Sequence, residues 1–580
     1  MRAHALRVKI VFYGLLVVAV FIAVRFYLVQ VRDGPALARH AYQQRLMTVD
    51  FPAHRGTIFD RDGNALVRSL PSQSVYATVG ELQDVPATAR ALSRVLSSSY
   101  SDVLAALHGK DPYVQIVHKI SHAEAVAVAK LALPGISVVP EQTGIRFVPS
   151  GRLAAAVIGF TGFDENGLDG VEYSFDSVLR GSPGRMVLET DEQGSALPFA
   201  QPKVLLAANG GHSIALTLDS YLQYEVQDVL RDTVARWHAE SGCAIVLDPT
   251  TGELLAIANS PDYDVRDYQH YSPDQRRDRA VADAYEPGST FKLITAAAAL
   301  DSGKVTTRDL FPALDELRIG NRTIHNAEDG FIASKSGSET LEDIVAYSHN
   351  VGAAEVGLRI GPRTMYGMMR RFGFGESTQV GLPGENPGIV PRLSSWSETS
   401  LPTMSFGHGI AITPLALARA YAAIANGGLL LRPRILSAII DSDGNEVYRY
   451  GPEIERRVMS AKTAATLRGF LRSVVLRGTG NPTAQIKGYT TAGKTGTAQM
   501  VENGVYASGD YVASFVGYVP AEEPRFVILV KIAKPRGQIY GSLVAAPAFA
   551  QIARIAMLHA GVLPAGPRLV RLPTPSKQRL

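Results

Sequence analysis

From Ile10 to Val24 the chain carries no charged side chain, and after Arg25 the apolar run resumes through Val31. A stretch of about 22 such residues crosses a bilayer only as a helix, because lipid offers no partner to an open backbone. Arg25 lies near the far end, where its long stem reaches the interface. Arg2, Arg7 and Lys9 precede the run. They place residues 1–9 in the cytoplasm, 10–31 across the membrane and the bulk of the chain outside. The competing reading is a cleaved leader with Ala36-Leu37-Ala38 as its small-residue site. That triplet lies beyond Arg32 and Asp33, late for cleavage. The chain is therefore expected to be a single-pass anchored protein rather than a soluble cytoplasmic one.

The remaining length suffices for two or three folded units. The formal net charge is only +4, which calls for no nucleic-acid partner. One cysteine, Cys243, sits in the apolar run Cys243-Ala244-Ile245-Val246-Leu247 and reads as core; it excludes an intramolecular disulfide. Between about residue 40 and 225 the pattern is mixed α/β. Arg55 to Asn64 predicts a strand and a tight turn at Asp62-Gly63, with a second strand from Ala65. Pro86 to Leu107 is helical in period, and Ser121-His122-Ala123-Glu124 opens another helix with a capping box. His118 and His122 are four apart, but the glutamate of a zinc-protease helix is missing between them. The acids from Gly151 to Gly184 do not have the spacing of a calcium loop and read as turns. Ile214 to Asp219 predicts a strand, and Ser220 to Trp237 a helix.

From residue 226 to 560 three polar clusters carry chemistry. The first is Tyr285-Glu286-Pro287-Gly288-Ser289-Thr290-Phe291-Lys292, with a helical run from Ser289 stopped by Gly303. Ser289 and Lys292 share one face of its first turn. A serine hydroxyl needs a base to become a nucleophile, and lysine is a base only when neutral. Desolvation and nearby positive charge favour the neutral form. The second cluster is Ser348-His349-Asn350, just after the helical stretch Leu341 to Ala346. The third is Lys494-Thr495-Gly496-Thr497. Here Gly488 to Thr495 matches the phosphate-loop pattern, which requires a preceding strand and a following helix. Asn481-Pro482-Thr483 instead opens the approach, and Thr495 to Met500 alternates like a strand before Gly504, Gly509 and Asp510 break it.

Ser-Xaa-Xaa-Lys, Ser-Xaa-Asn and Lys-Thr-Gly in this order form the set of active-serine penicillin-recognising enzymes. The chain resembles the class B penicillin-binding proteins, most of all the septal, division-type peptidoglycan transpeptidases. The likeness extends to Arg55-Gly56, Asp60 to Gly63, Gly159 to Gly162, Gly170-Val171-Glu172, Leu382 to Glu385, Ser405 to Gly409 and Ala513 to Gly517. Two positions depart: His349, usually a small polar residue and here expected to touch the cleft edge, and Val148, where tyrosine is commoner.

The resemblance implies an α/β (α+β) fold, with a five-stranded antiparallel sheet between helices in the transpeptidase domain (226–560). That domain would stand on an elongated pedestal of the dimerisation type (40–225), with residues 561–580 a disordered tail. It implies Ser289 as nucleophile and Lys292 as base. Ser348 would relay a proton, Asn350 would position Lys292 and the substrate amide, and Lys494 would hold a substrate carboxylate. Thr495, Gly496 and Thr497 would bind substrate, with the amides of Ser289 and Thr497 as the oxyanion hole. No cofactor or metal is called for. The implied partners are peptidoglycan stem peptides, β-lactams, a SEDS-family glycosyltransferase and other division proteins in the bacterial inner membrane, at the septum. An elongation-type transpeptidase, a carboxypeptidase or β-lactamase-like hydrolase, and a non-catalytic division scaffold are the alternatives.

Overall fold

The computed structural model describes residues 2–51, 53–109, 111–141, 144–189, 203–320, 322–327, 337–502 and 504–565. Most of the 561–580 tail therefore lies outside the described residues. The helix expected at the N-terminus runs Arg2–Tyr27 and continues as a π turn over Leu28–Arg32. The segment His4–Arg32 has a mean hydropathy of 2.3 and no buried residue, long and apolar enough to span a membrane. The helix Gly541–His559 passes the same test of length and composition, but more than half of it is buried, as in the core of a soluble domain.

The chain forms two compact units, the first comprising Met1–His54, Pro71–Gly144 and Arg180–Gly211. Its core lies under a three-stranded antiparallel sheet with Gln73–Thr78 between Tyr113–Ile120 and Ile136–Pro140. Val75 and Ala77 face Ala89, Leu92, Val103, Leu107, Ala125 and Val128 from three helices. The stretch expected as one helix from Pro86 to Leu107 is two, Val85–Ser93 and Tyr100–Leu107. Ser97 to Ser99 interrupts it, and Ser99 caps the second helix by accepting from the Asp102 amide. The Ser121/Glu124 capping box forms as expected. His118 lies within the strand Tyr113–Ile120 and pairs with Glu141 at 3.0 Å, whereas His122 begins a helix.

The second unit comprises Arg55–Leu70, Ile145–Leu179 and His212–Leu580. Its centre is the five-stranded antiparallel sheet, in the order Leu254–Ser260, Ser241–Leu247, Phe526–Ala533, Val505–Val519, Ala492–Glu502. Both faces are covered, so the inner strands are largely apolar and the period of two mainly sorts residues between cores. Ala244, Val246, Ile528 and Val530 pack against the helices Ser220–Arg236 and Ala546–His559. Ile245, Leu247, Val527 and Leu529 pack on the other side with the helices Lys292–Asp301 and Pro414–Ala425. The Lys494 strand is an edge, where a catalytic cleft can form. Its partner does not break at Gly509 and Asp510: it runs 15 residues, with a register shift opposite Gln499 to Val501.

The outlying motif residues of this unit build one buried ion network. Arg55 Nε donates to Glu172 Oε2 at 2.8 Å, its Nη1 to Asp176 at 2.7 Å, and Arg146 Nε reaches Glu172 Oε1 at 2.7 Å. Arg55 and Glu172 are 4% and 1% exposed, so removing Arg55 leaves the buried Glu172 carboxylate only partly compensated, by Arg146. Arg55→Met is expected to cost about 3–5 kcal/mol, read as a lower thermal midpoint of the full-length protein.

Candidate active site

Pro287 and Gly288 set up the nucleophile turn. Gly288 has φ +54°, a region a side chain rarely adopts, and a Cβ there would stand 3.1 Å from the Thr497 carbonyl oxygen. The turn Gly288–Phe291 is 3-10 and the α-helix begins only at Lys292, one turn later than the sequence pattern predicts. Thr290 explains part of this: its hydroxyl donates to the Pro287 carbonyl at 2.7 Å, holding the tighter turn. Gly407 leaves no room for a Cβ against the Gly288 carbonyl, which accounts for the glycine of the Ser405 to Gly409 segment.

Lys292 is fully buried while Ser289, Ser348 and Asn350 are half-buried. Lys292 Nζ lies 2.9 Å from Ser289 Oγ, 3.1 Å from Ser348 Oγ and 2.7 Å from Asn350 Oδ1, and also contacts the Ser348 carbonyl. Lys494, equally buried, places Nζ 2.9 Å from Ser348 Oγ and 3.2 Å from the Thr495 carbonyl. Burial, and then the charge of Lys494, hold Lys292 well below the usual lysine range. The site thus contains an amine with a neutral form, one hydrogen bond from a serine hydroxyl. A second serine bridges the two lysines. These are the groups that proton transfer during acyl transfer requires.

The strand carrying Thr495, Gly496 and Thr497 closes on this turn. A Cβ on Gly496 would meet Thr290 Cγ2 at 2.9 Å and Pro287 O at 3.2 Å, so only glycine lets the edge approach. Thr495 Oγ1 pairs with Thr479 Oγ1 at 2.7 Å, and Thr497 Oγ1 accepts from the Gly541 amide at 3.1 Å. All the sequence-designated side chains therefore come together in one unit. His349 does not meet the expectation of a cleft-edge residue: its ring is buried and bonded to Glu339.

Several neighbours were given no role by the sequence. Asn326 Oδ1 accepts from the amides of Asn350 and Val351 at 2.8 and 3.1 Å, capping their helix from 24 residues away, which no local pattern reveals. Glu286 Oε1 accepts from the Gly409 amide at 2.8 Å, and burial holds its carboxyl above the usual range. His408, 3.6 Å from Glu286, is held down at about 4 by burial and then by Lys292. Both lie in motif segments, so their positions were visible but not their pairing. Among the described residues no group of three or more His, Cys, Asp or Glu side chains could hold a metal.

The geometry defines an active-serine acyl-transfer site. Residues 242–554 match the penicillin-binding protein transpeptidase domain, and 50–203 match the penicillin-binding protein dimerisation domain. The chain is 33% identical to stage V sporulation protein D of Bacillus subtilis, across 96% of this chain and 86% of that one. It is 32% identical to the peptidoglycan D,D-transpeptidase FtsI of Escherichia coli, across 93% and 90%. The crystal structure of penicillin-binding protein 3 from Mycobacterium tuberculosis in complex with aztreonam superposes with a TM-score of 0.68 at 30% identity, covering 91% of this chain and 100% of that one. The chain belongs to the class B penicillin-binding protein transpeptidase family.

Proposed function

We propose that this chain is a peptidoglycan D,D-transpeptidase that crosslinks stem peptides during septal wall synthesis and is acylated by β-lactams. One observation carries the reading: Ser289, Lys292, Ser348, Asn350 and Lys494 converge within hydrogen-bond reach in a half-open site. Ser289 Oγ attacks the carbonyl of the penultimate D-alanine while its proton passes to neutral Lys292. The negative oxygen of the tetrahedral intermediate is held by the amides of Ser289 and Thr497, each worth about 3 kcal/mol. Ser348, bridging the lysines, delivers a proton to the departing nitrogen and takes one back from Lys292, and terminal D-alanine leaves. An amine of a neighbouring stem peptide then attacks the ester; its proton passes through Lys292 to Ser289 Oγ, which leaves as the free hydroxyl beside a neutral Lys292. Asn350 orients Lys292 and the substrate amide, Lys494 attracts the substrate carboxylate, and Thr495, Gly496 and Thr497 line its edge.

Residues 10–31 serve as the membrane anchor, 40–225 as the pedestal and 226–560 as the transpeptidase domain. The N-terminus is cytoplasmic, and glycan strands come from a SEDS-family membrane partner. The likeness to FtsI supports the septal role. Midcell localisation of a fluorescent fusion agrees with it, whereas a sidewall distribution favours elongation. Intact-mass analysis after penicillin treatment tests the chemistry. One adduct is expected, on the peptide bearing Ser289; steady nitrocefin turnover instead indicates a hydrolase.

A further inference from the structure

Ser348 and Asn350 both contact the Lys292 amine, and the residue between them is turned into the protein. His349 Nδ1 is bonded to Glu339 Oε2, and the carboxylate is 3% exposed. Glu339 stands just before the helix Leu341–Tyr347, and that helix ends at Ser348. The Glu339–His349 bond therefore ties the two ends of one short helix together. It does so where Ser348 adopts φ +65°, a left-handed conformation that a side-chain-bearing residue holds only when its surroundings enforce it. The same carboxylate lies against the first turn of the helix Asn350–Ile360. A Cβ on Gly352 would collide with Glu339 Oε1, and a helix N-terminus favours a negative group.

We propose that Glu339 and His349 are positioning residues for acylation: their bond seats the Ser348–Asn350 turn against Lys292, and the Glu339 charge acts on that amine through space. The inference rests on the reading that Lys292 takes the Ser289 proton. Glu339 opposes Lys494, which faces Lys292 from the edge strand; burial and Lys494 favour the neutral amine, and Glu339 favours the ammonium. His408 faces Lys292 from the loop before the helix Pro414–Ala425. Glu355, on the helix Asn350–Ile360, feels the same charge: burial and then Glu339 push its carboxyl up to about 7, and its buried Oε2 has no hydrogen-bond partner.

The test uses the full-length protein in detergent and follows acylation by a fluorescent penicillin against concentration and pH. Glu339→Gln keeps an acceptor for His349 but removes the charge. Its acid limb is expected to shift to lower pH, because Lys292 stays neutral further down, with the dissociation constant for penicillin unchanged. His349→Phe keeps the ring and loses the bond; the acylation rate constant is expected to fall roughly tenfold to a hundredfold, while His349→Asn, which can donate to Glu339, recovers most of it. A purely structural cluster leaves the limb in place. An unmoved limb in Glu339→Gln, or His349→Phe acylating at the parent rate, overturns the proposal. If the Phe variant loses its thermal transition, the limb of Glu339→Gln alone decides. Persistent labelling of Ser289→Ala, run alongside, would refute the functional reading itself.

Discussion

Ser289→Ala is expected to abolish covalent labelling by fluorescent penicillin while leaving the thermal midpoint nearly unchanged. The side chain is half-buried and its hydroxyl has one close partner, Lys292 Nζ at 2.9 Å. Losing it removes the attacking atom and no packing of consequence. Lys292 keeps Asn350 Oδ1 and Ser348 as partners, so no buried amine is stranded. Labelling is the right readout because it reports the covalent bond to Ser289 itself, and Cys243, the chain's one thiol, is buried with its pKa pushed up to about 12. A variant that complements the loss of the parent gene despite losing all label would favour the scaffold alternative.

The second large effect is at the base. Lys292→Met keeps most of the apolar stem, removes the proton acceptor and should slow acylation by about 10³-fold or more, at the upper end of general-base contributions. The parent's pH profile follows from the direction of the shift. Burial first, then Lys494, lower the Lys292 pKa, so the amine is neutral and active above that lowered value. Acylation therefore falls as pH drops through it. Lys494→Met removes a repelling charge, raises the Lys292 pKa and moves the acid limb to higher pH. An acid limb that survives intact in Lys292→Met would show that another group takes the proton.

Much of this site was legible because its chemistry is local in sequence. Ser289 and Lys292 share a turn, Ser348 and Asn350 flank one helix start, and Lys494 to Thr497 lie on one strand. Strand pairing was legible where a turn punctuates it, as at Asp62-Gly63 between Ile58–Phe59 and Ala65–Leu70. What stayed hidden is what depends on distant partners. The 3-10 start of the nucleophile helix reflects Thr290 and a close strand, not propensity. The strand continues through Gly509 and Asp510 because a register shift opposite Gln499 to Val501 absorbs these two poor strand formers, with pairing resumed at Tyr511. His349 read as a cleft residue because its neighbours in sequence are, yet its ring finds Glu339 instead. The Arg55-Gly56 and Gly170-Val171-Glu172 segments were seen singly; only the fold shows them meeting, with Arg146, in one ion cluster.

The absence of a side chain at Gly496 has a consequence for drug escape. On the function proposed above, a larger residue there would push the edge strand off the nucleophile turn and cost substrate and β-lactam acylation alike. Substitutions that separate the two at this edge are expected at the flanking threonines rather than at Gly496.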